Sequence, residues 1–471
     1  MGYKKQSNMK NRHIYIMVLA GMLLFSSCSL YRKYKPTPVE PGNVMGDVMN
    51  PQDTLSMGDI SWRSIFTDPL LQKLIDSALA NNTDMRTAQI TIQQAQNSVK
   101  AAKWGYAPTI SFSPQYTFDH SGGTNSHSVS VPLSASWQIG VFGQTTTSVR
   151  KSKAQAAYYQ DYRQAVQVSL AANVANLYYT LVMLDKQLAI SEETELLWEE
   201  SLESTRALYD AGIYESPAVY EMEASVAEVK TEILDLRNSI LTTEASLCQL
   251  LAIPPQHIQR STFSAFQMPE QLHVGLPVRL LEARPDVRLA AREMEIAYYG
   301  TQQAKQSFFP SITIEGLFGM AASPAQLISQ LVAKLVQPVF AAGKLSAQLK
   351  NAKLDQEKYR IQFEQTLLEA GNEVYRYLHT CQTAGQKAEL FEARVNSLQE
   401  AYDATTDLMD NGSTTYLEVL TAQESLLSAQ LSQVDNQYDA IEALINLYSA
   451  LGGFDTGTPQ PEPKKKNKKK Q

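Results

Sequence analysis

Glycine and proline are both missing between Gln144 and Ala211, 68 residues of a chain that carries 22 glycines and 20 prolines elsewhere. Nothing in that stretch stops a helix, which at the α-helical rise would extend about 100 Å. Cysteine is scarce as well. Of three, Cys28 lies near the start, while Cys248 and Cys381 stand in helical patterns without a spacing partner. Two buried small apolar side chains fit them better than a disulfide or a metal site. The six histidines (His13, His120, His127, His257, His273, His379) show no metal-ligand spacing, and no phosphate-cradling glycine loop or nucleophile elbow accompanies them. The sequence offers no catalytic residue, no metal site and no cofactor site, so it does not read as an enzyme. Long apolar runs are lacking too: Ile14 to Phe25, 12 residues, is too short to span a bilayer.

Positive charge is in short supply in the body of the chain. The formal charge is −7, but Lys4, Lys5, Lys10 and Arg12 put +4 at the start, and six lysines against Glu462 put +5 on 461–471, which leaves −16 between them. So acidic a body excludes nucleic acid as the natural partner and favours cations or basic partners. The lysine run after Pro463 reads as a solvated tail, with weak attraction to anionic envelope polymers as the alternative. At the other end, a basic start, an apolar run and small residues before a cysteine make 1–27 a processing signal. Ser26-Ser27-Cys28 resembles a bacterial lipobox, which makes Cys28 the lipid-bearing first residue of the mature protein, although Phe25 stands where leucine is usual. The other reading is an ordinary secretory signal with an incidental cysteine. Both place the protein beyond the inner membrane.

The chain is written twice. Asp84-Met85-Arg86-Thr87-Ala88 returns 202 residues later as Asp286-Val287-Arg288-Leu289-Ala290, and Pro108-Thr109-Ile110-Ser111 returns at the same offset as Pro310-Ser311-Ile312-Thr313. Farther on the offset is 200, pairing Gly143 with Gly343, Tyr159 with Tyr359, Asp210 with Asp410, Gly212 with Gly412 and Val219 with Val419. Register kept this long marks a tandem repeat. The organisation is a leader 1–27, a Pro-rich linker 28–61, one unit at 62–260, a second at 275–453, and a Lys-rich tail 454–471.

Each unit should carry a hairpin, at about 108–141 and about 309–340. From Ile110 to Asp119 apolar residues fall on even positions and polar ones on odd. After the polar tip His120 to Asn125, the run from Val129 to Ile139 alternates the other way. One greasy face and one wet face, with about ten residues per strand and a girdle aromatic in Trp137, suit a membrane-crossing hairpin. The second unit offers Ser311 to Gly319 and, less cleanly, Gln330 to Phe340, where Lys334 interrupts the pattern. A soluble sandwich would have to find strands that the chain does not own. Four strands leave two open edges, so in a membrane several chains must share one barrel, and three would give twelve strands. The rest reads as helix, from Gln144 to Ala211, Ala218 to Ile253, Lys344 to Asn411 (with Gly371 and Gly385 as weak points) and Ser413 to Leu451. Leu170, Val174, Leu177, Leu181 and Leu184 form a narrow packing seam.

These motifs resemble the outer-membrane efflux factors, the TolC-like channels, in their lipoprotein subgroup. The residues that carry the likeness are Trp62, Phe66, Asp68-Pro69, Asn82, Pro108-Thr109-Ile110-Ser111 and Trp137 to Gly143. In the second unit they are Gly275-Leu276-Pro277, Leu280-Leu281, Arg284-Pro285-Asp286-Val287, Phe308 to Ile314, and Gln337 to Phe340 with Gly343. The resemblance covers about Trp62 to Gly453. It implies a fold that is mainly α with membrane β: a homotrimer with a twelve-stranded β-barrel in the outer membrane and a long periplasmic α-barrel. It implies a passive duct for drugs or metal ions, with outer-membrane lipid, a periplasmic adaptor and an inner-membrane pump as partners. Two departures from the family pattern, Gln138 and Gly140 at positions commonly acidic, bear on the pore lining. A protein-export duct and a non-pore periplasmic scaffold remain as alternatives.

The same resemblance supplies the site residues. Asp210, Gly212, Asp410 and Gly412 fall at helical-hairpin tips where adaptors of the family dock. Glu418 and Thr421 hold positions often acidic in the family, where threefold symmetry makes each a ring at the periplasmic aperture; Glu418 keeps the acid and Thr421 does not. The plainer readings are an ordinary exposed helix charge for Glu418 and local turn capping for Asp210 and Asp410.

Overall fold

The computed structural model describes residues 32–36, 61–263, 284–322 and 325–453. The leader with Cys28, most of the Pro-rich linker, the Gly275-Leu276-Pro277 and Leu280-Leu281 motifs and the Lys-rich tail lie outside the described residues. Among the described residues eight helices and five strands follow in order: α1 (Trp62–Ile65), α2 (Pro69–Asn81), α3 (Thr83–Trp104), β1 (Thr109–Phe112), β2 (Gln115–Ser121), β3 (Thr124–Ile139), α4 (Gln144–Asp210), α5 (Ser216–Leu251), α6 (Pro285–Gln306), β4 (Ser311–Ala322), β5 (Ala325–Val336), α7 (Lys344–Asp410) and α8 (Tyr416–Ala450). The written repeat is a structural one. Helices α3 and α6 are both 22 residues long and begin 202 positions apart, and α4 and α7 are both 67 residues long and begin 200 apart. Gly371 and Gly385 do not break α7.

The chain divides into two compact units, and the long helices contribute residues to both. One unit holds residues 89–161 and 286–366 with the described N-terminal segment. Its centre is one antiparallel sheet in the order β1-β3-β4-β5, with β2 also pairing β3. The expected first strand is interrupted at Ser113-Pro114. The register does not slip there: Phe112 pairs Leu133, and Gln115 pairs Ser130. Pro114 and Pro132 stand almost opposite each other and neither has an N–H to give the ladder, so hydrogen bonds thin out without a bulge. The tip is tighter than the polar run suggests. Ser121 pairs Thr124 across Gly122 and Gly123, both with positive φ (58° and 82°), a two-residue turn of the primed kind that matches strand twist.

The fourth strand corrects the reading from sequence: β5 covers Ala325–Val336 rather than Gln330 to Phe340. In this register Leu327, Leu331 and Leu335 share the apolar face with Met320, Phe318 and Ile312. Lys334 falls on the wet face, where its Nζ donates to Glu315 Oε2 at 2.5 Å. What reads as an interruption is a strand of the opposite parity.

The second unit holds the described residues of 162–285 and 367–453, with 61–88. Its core joins Phe66, Leu71 and Ile75 of the N-terminal helices to Tyr178 and Leu181 of α4, Leu247 and Leu251 of α5, and Leu444, Ile445 and Tyr448 of α8. All ten are under 2 % exposed, and full burial of such side chains stabilises by about 1.5–3 kcal/mol each. Cys248 and Cys381 are both free and buried in it.

The family-like motifs have physical work here. Asp68 caps α2 by accepting from Leu70 N–H at 2.8 Å, with Pro69 in the first turn, and its other oxygen accepts from the Tyr178 hydroxyl. Burial and that carboxylate push the Tyr178 hydroxyl up to about 12. Asn82 accepts from the N–H groups of Asp84 and Met85 (2.8 and 3.3 Å) at the start of α3 and donates to Leu250 C=O at 2.9 Å. Arg284, buried, donates to Glu373 at 2.6 Å and to the Ala450 carbonyl at 3.0 Å near the end of α8.

Candidate functional site

The candidate functional residues fall in two regions, one in each unit. In the sheet, side chains alternate strictly because strand geometry allows nothing else. Ile110, Phe112 and Tyr116 lie on one face beside Val129, Val131, Leu133 and Trp137 of β3. That face continues onto Phe318 of β4 and Leu331 of β5, and it is open: Ile110 is 69 % and Leu331 79 % exposed. An apolar surface of this extent needs a cover other than water. The opposite face carries hydroxyls and charges, with Ser111 Oγ 2.7 Å from Ser134 Oγ and the Lys334–Glu315 pair. At the end near Thr109, Trp137 Nε1 donates to the Tyr106 carbonyl at 2.9 Å, and Trp104 is exposed. No helix among the described residues is long and apolar enough to cross a membrane.

The second region is the pair of helical turns in the other unit. Helix α4 ends at Asp210 and α7 at Asp410, two residues before Gly212 (φ 74°) and Gly412 (φ 69°). Each glycine closes its helix in the same way. Gly212 N–H bonds Tyr209 C=O and Ile213 N–H bonds Leu208 C=O, both at 2.9 Å; Gly412 and Ser413 repeat this with Met409 and Leu408 at 2.9 and 2.8 Å. A side chain at either position would meet no neighbour within 4 Å, so the left-handed backbone, not space, calls for glycine. Asp210 is exposed; the side chain of Asp410 lies outside the described set.

The chain re-enters helix at different points from those expected. Helix α5 begins at Ser216, because Pro217 is welcome in a first turn where no N–H is needed, and α8 begins at Tyr416 after extended Thr415. Glu418 therefore stands in the first turn of α8, exposed, accepting a hydrogen bond from the Thr414 hydroxyl. It forms no ion pair among the described residues. Thr421, three residues on, is exposed too, with its hydroxyl donating to Leu417 C=O at 2.7 Å.

One contact at the tips is absent from the sequence reading. Tyr416 donates its hydroxyl to Glu221 Oε2 of α5 at 2.5 Å, and its ring lies 5.5 Å from that of Tyr214. The bond to Glu221 pushes the Tyr416 hydroxyl up to about 12. This ties the two tips within one chain across 195 residues, a separation that pattern cannot bridge. Behind it Trp198 and Leu202 of α4, Met222, Val226 and Val229 of α5 and Leu420 of α8 make a small core.

Comparison with known proteins agrees with this geometry. The family described as Outer membrane efflux protein matches residues 74–252 and 276–453, one match in each repeat. The chain is 26% identical over 458 residues to the probable outer membrane lipoprotein SilC of Salmonella typhimurium, covering 93% of this chain and 97% of that one. It is 25% identical over 446 residues to the cation efflux system protein CusC of Escherichia coli (strain K12), covering 92% and 97%. Among solved structures, a crystal structure of CusC matches with a TM-score of 0.79 at 24% identity, over 90% of this chain and 99% of that one. That likeness shows the fold: mainly α, with a small sheet, as in the TolC-like channels. The family match takes in both repeats and most of the chain, which is an efflux protein of the outer membrane and belongs to the outer membrane efflux protein family.

Proposed function

We propose that three copies of this chain form the outer-membrane duct of a tripartite efflux system, each giving its sheet to one closed twelve-stranded barrel. The observation that carries this reading is the sheet. β1 and β2 lie in one register on β3, so each chain supplies a sheet four strands wide, with an unpaired edge on β1–β2 and another on β5. Its apolar face suits lipid, and lipid offers nothing to an open edge. Further copies must pair there. Two would give eight strands, whose interior is filled by side chains, whereas three give twelve and leave a lumen lined by the hydroxyl-rich face.

The helices favour the same partner. Tyr220, Ala227, Leu234 and Leu241 recur every seventh residue on α5 and are exposed, as do Leu354, Ile361, Leu368 and Tyr375 on α7. Apolar stripes at that period seat against a neighbouring helix, which a second copy supplies. In the trimer Glu418 and Thr421 ring the periplasmic aperture, and the tips at Asp210, Gly212, Asp410 and Gly412 receive a periplasmic adaptor that joins the duct to an inner-membrane pump. The acidic body, −16 without its basic ends, favours cationic or neutral cargo, small molecules or metal ions. Cys28 carries the lipid anchor, a reading supported by the lipoprotein designation of SilC. Native mass measurement of the purified protein in mild detergent tests the assembly: three times the mature chain is expected, and a monomer or dimer as the sole species overturns it.

A further inference from the structure

The unit that carries the sheet also holds a cavity of ≈ 790 Å³, of the size of an ordinary small-ligand pocket. It forms where the N-terminal segment crosses α6 and α7. Tyr298 of α6 fixes the segment, donating its hydroxyl to the Arg32 carbonyl at 3.3 Å with its ring 5.5 Å from that of Tyr34; the Tyr34 N–H reaches the Tyr299 hydroxyl at 3.5 Å. Arg32, Lys33 and Lys35 line the cavity from the segment, and Lys353 and Arg360 from α7. One carboxylate, Glu357, faces these five cations, and it is taken up by Arg360 at 2.7 Å. Arg360 is shared further with Glu364. Arg32, Lys33, Lys35 and Lys353 form no ion pair among the described residues. The lining therefore carries +4, counting five cations against Glu357, in a chain whose body is strongly acidic.

Four unpaired cations held around a concavity repel one another, and the folded chain holds them together from two segments more than 300 residues apart in sequence. An anion relieves that repulsion. Lysines and arginines lining one cavity suit an oxyanion of two charges with several acceptors. From these groups we propose that the cavity binds a phosphate-bearing ligand. Lys353 is nine residues from Lys344 at the sheet end of α7, about 13 Å along the helix, and helical side chains lean toward the N-terminus, so its ammonium is directed toward the sheet. Both a lipid headgroup and a soluble phosphate ester present the same group there.

The test uses the full-length protein in a nonionic detergent at low salt. Calorimetric titration with glycerol 3-phosphate, with glycerol as the uncharged control, reads the soluble source; co-flotation with vesicles of phosphatidylglycerol against vesicles of phosphatidylcholine, after reconstitution of the tagged protein in nanodiscs of neutral lipid, reads the headgroup. Binding of at least one phosphate probe and of neither neutral control is expected. Lys353→Gln and Arg32→Gln should each weaken it about tenfold, the contribution of a charge-assisted hydrogen bond. Lys350→Gln, an exposed lysine of the same helix outside the cavity, should leave binding unchanged. A response confined to glycerol 3-phosphate assigns a soluble ligand, and one confined to phosphatidylglycerol a lipid. No binding of either probe overturns the proposal, and so does an equal loss in all three variants, which would mean bulk charge rather than a site.

Discussion

Arg260 offers a sharp test of how the helical unit is held together. Its guanidinium meets Asp185 of α4 through Nε and Nη2 at 2.5 and 2.7 Å, Glu244 of α5 through Nη1 at 2.5 Å, and the Ile258 carbonyl at 2.9 Å. The Arg260 and Glu244 side chains are only 8 % and 7 % exposed, while Asp185 is 41 % exposed. Replacing Arg260 by Met keeps most of the volume and removes the charge. Asp185 turns to solvent at little cost. Glu244 stays buried with the Ile258 N–H at 3.2 Å and His257 at 2.9 Å as its remaining partners. Breaking a buried pair from one side costs about 3–5 kcal/mol.

The pH dependence has a definite sign. Burial pushes the Glu244 carboxyl up, but Arg260 and the Ile258 N–H outweigh it and hold the group below its ordinary value. In the native protein its contribution is thus present above the unfolded pKa and lost as pH falls through the folded one. Without Arg260 the balance reverses, and burial dominates. The deficit of Arg260→Met should then be largest near neutral pH and shrink at acidic pH, once Glu244, raised by burial in the variant, has taken up a proton. Glu244→Gln in the same chain should restore most of the loss, because no buried charge is left. Thermal unfolding followed by helical circular dichroism reads all three proteins. A deficit equal at neutral and acidic pH, or a double variant that is simply additive, would mean that Glu244 is not the charge left uncompensated.

Glu418→Gln should lower cation preference and weaken block by divalent ions from the periplasmic side while leaving assembly intact, as reversal potentials in a salt gradient would show; unchanged selectivity would put Glu418 on the outer surface of the helical ring. Gly319→Val should prevent β3 and β4 from pairing, since a Cβ there would stand 2.8 Å from both Pro132 Cα and Val131 O, backbone that cannot step aside. Overpacking of this kind costs on the order of 1–3 kcal/mol or more, read as loss of the assembled species on native gels; normal assembly would mean the register differs. Cys28→Ser should abolish metabolic labelling by fatty acid, and a variant that still labels carries another anchor.

Much of this fold is legible in the sequence because its signals are periodic. An offset of 202 and then of 200, each kept over a long stretch, announces the repeat, and the absence of helix breakers announces α4. Strand alternation reveals both faces of the first hairpin, but it hides the break at Pro114, since a proline on an even position passes for an apolar residue. It also misplaces β5, where Lys334 looks like an error until pairing with β4 shows which face it belongs to. Asp68, Asn82 and Arg284 can be picked out as family-like, yet their partners Tyr178, Leu250 and Glu373 lie 89 to 168 residues away. The same holds for Arg260 with Asp185 and for Tyr416 with Glu221, contacts between helices with no local signature. The turn glycines are readable, because a left-handed residue at a helix end is a local demand. Which way Glu418 faces in an assembly is not, because that is decided between chains.

Three copies of this chain should enclose a continuous aqueous path once they close the sheet. Conductance of the purified wild-type assembly in a planar bilayer measures that directly. Discrete single-channel steps are expected, favouring cations, whose activity migrates with the trimeric species on size separation. A trimer that inserts and conducts nothing under any voltage or salt gradient, or conductance that travels with a monomer, would contradict it.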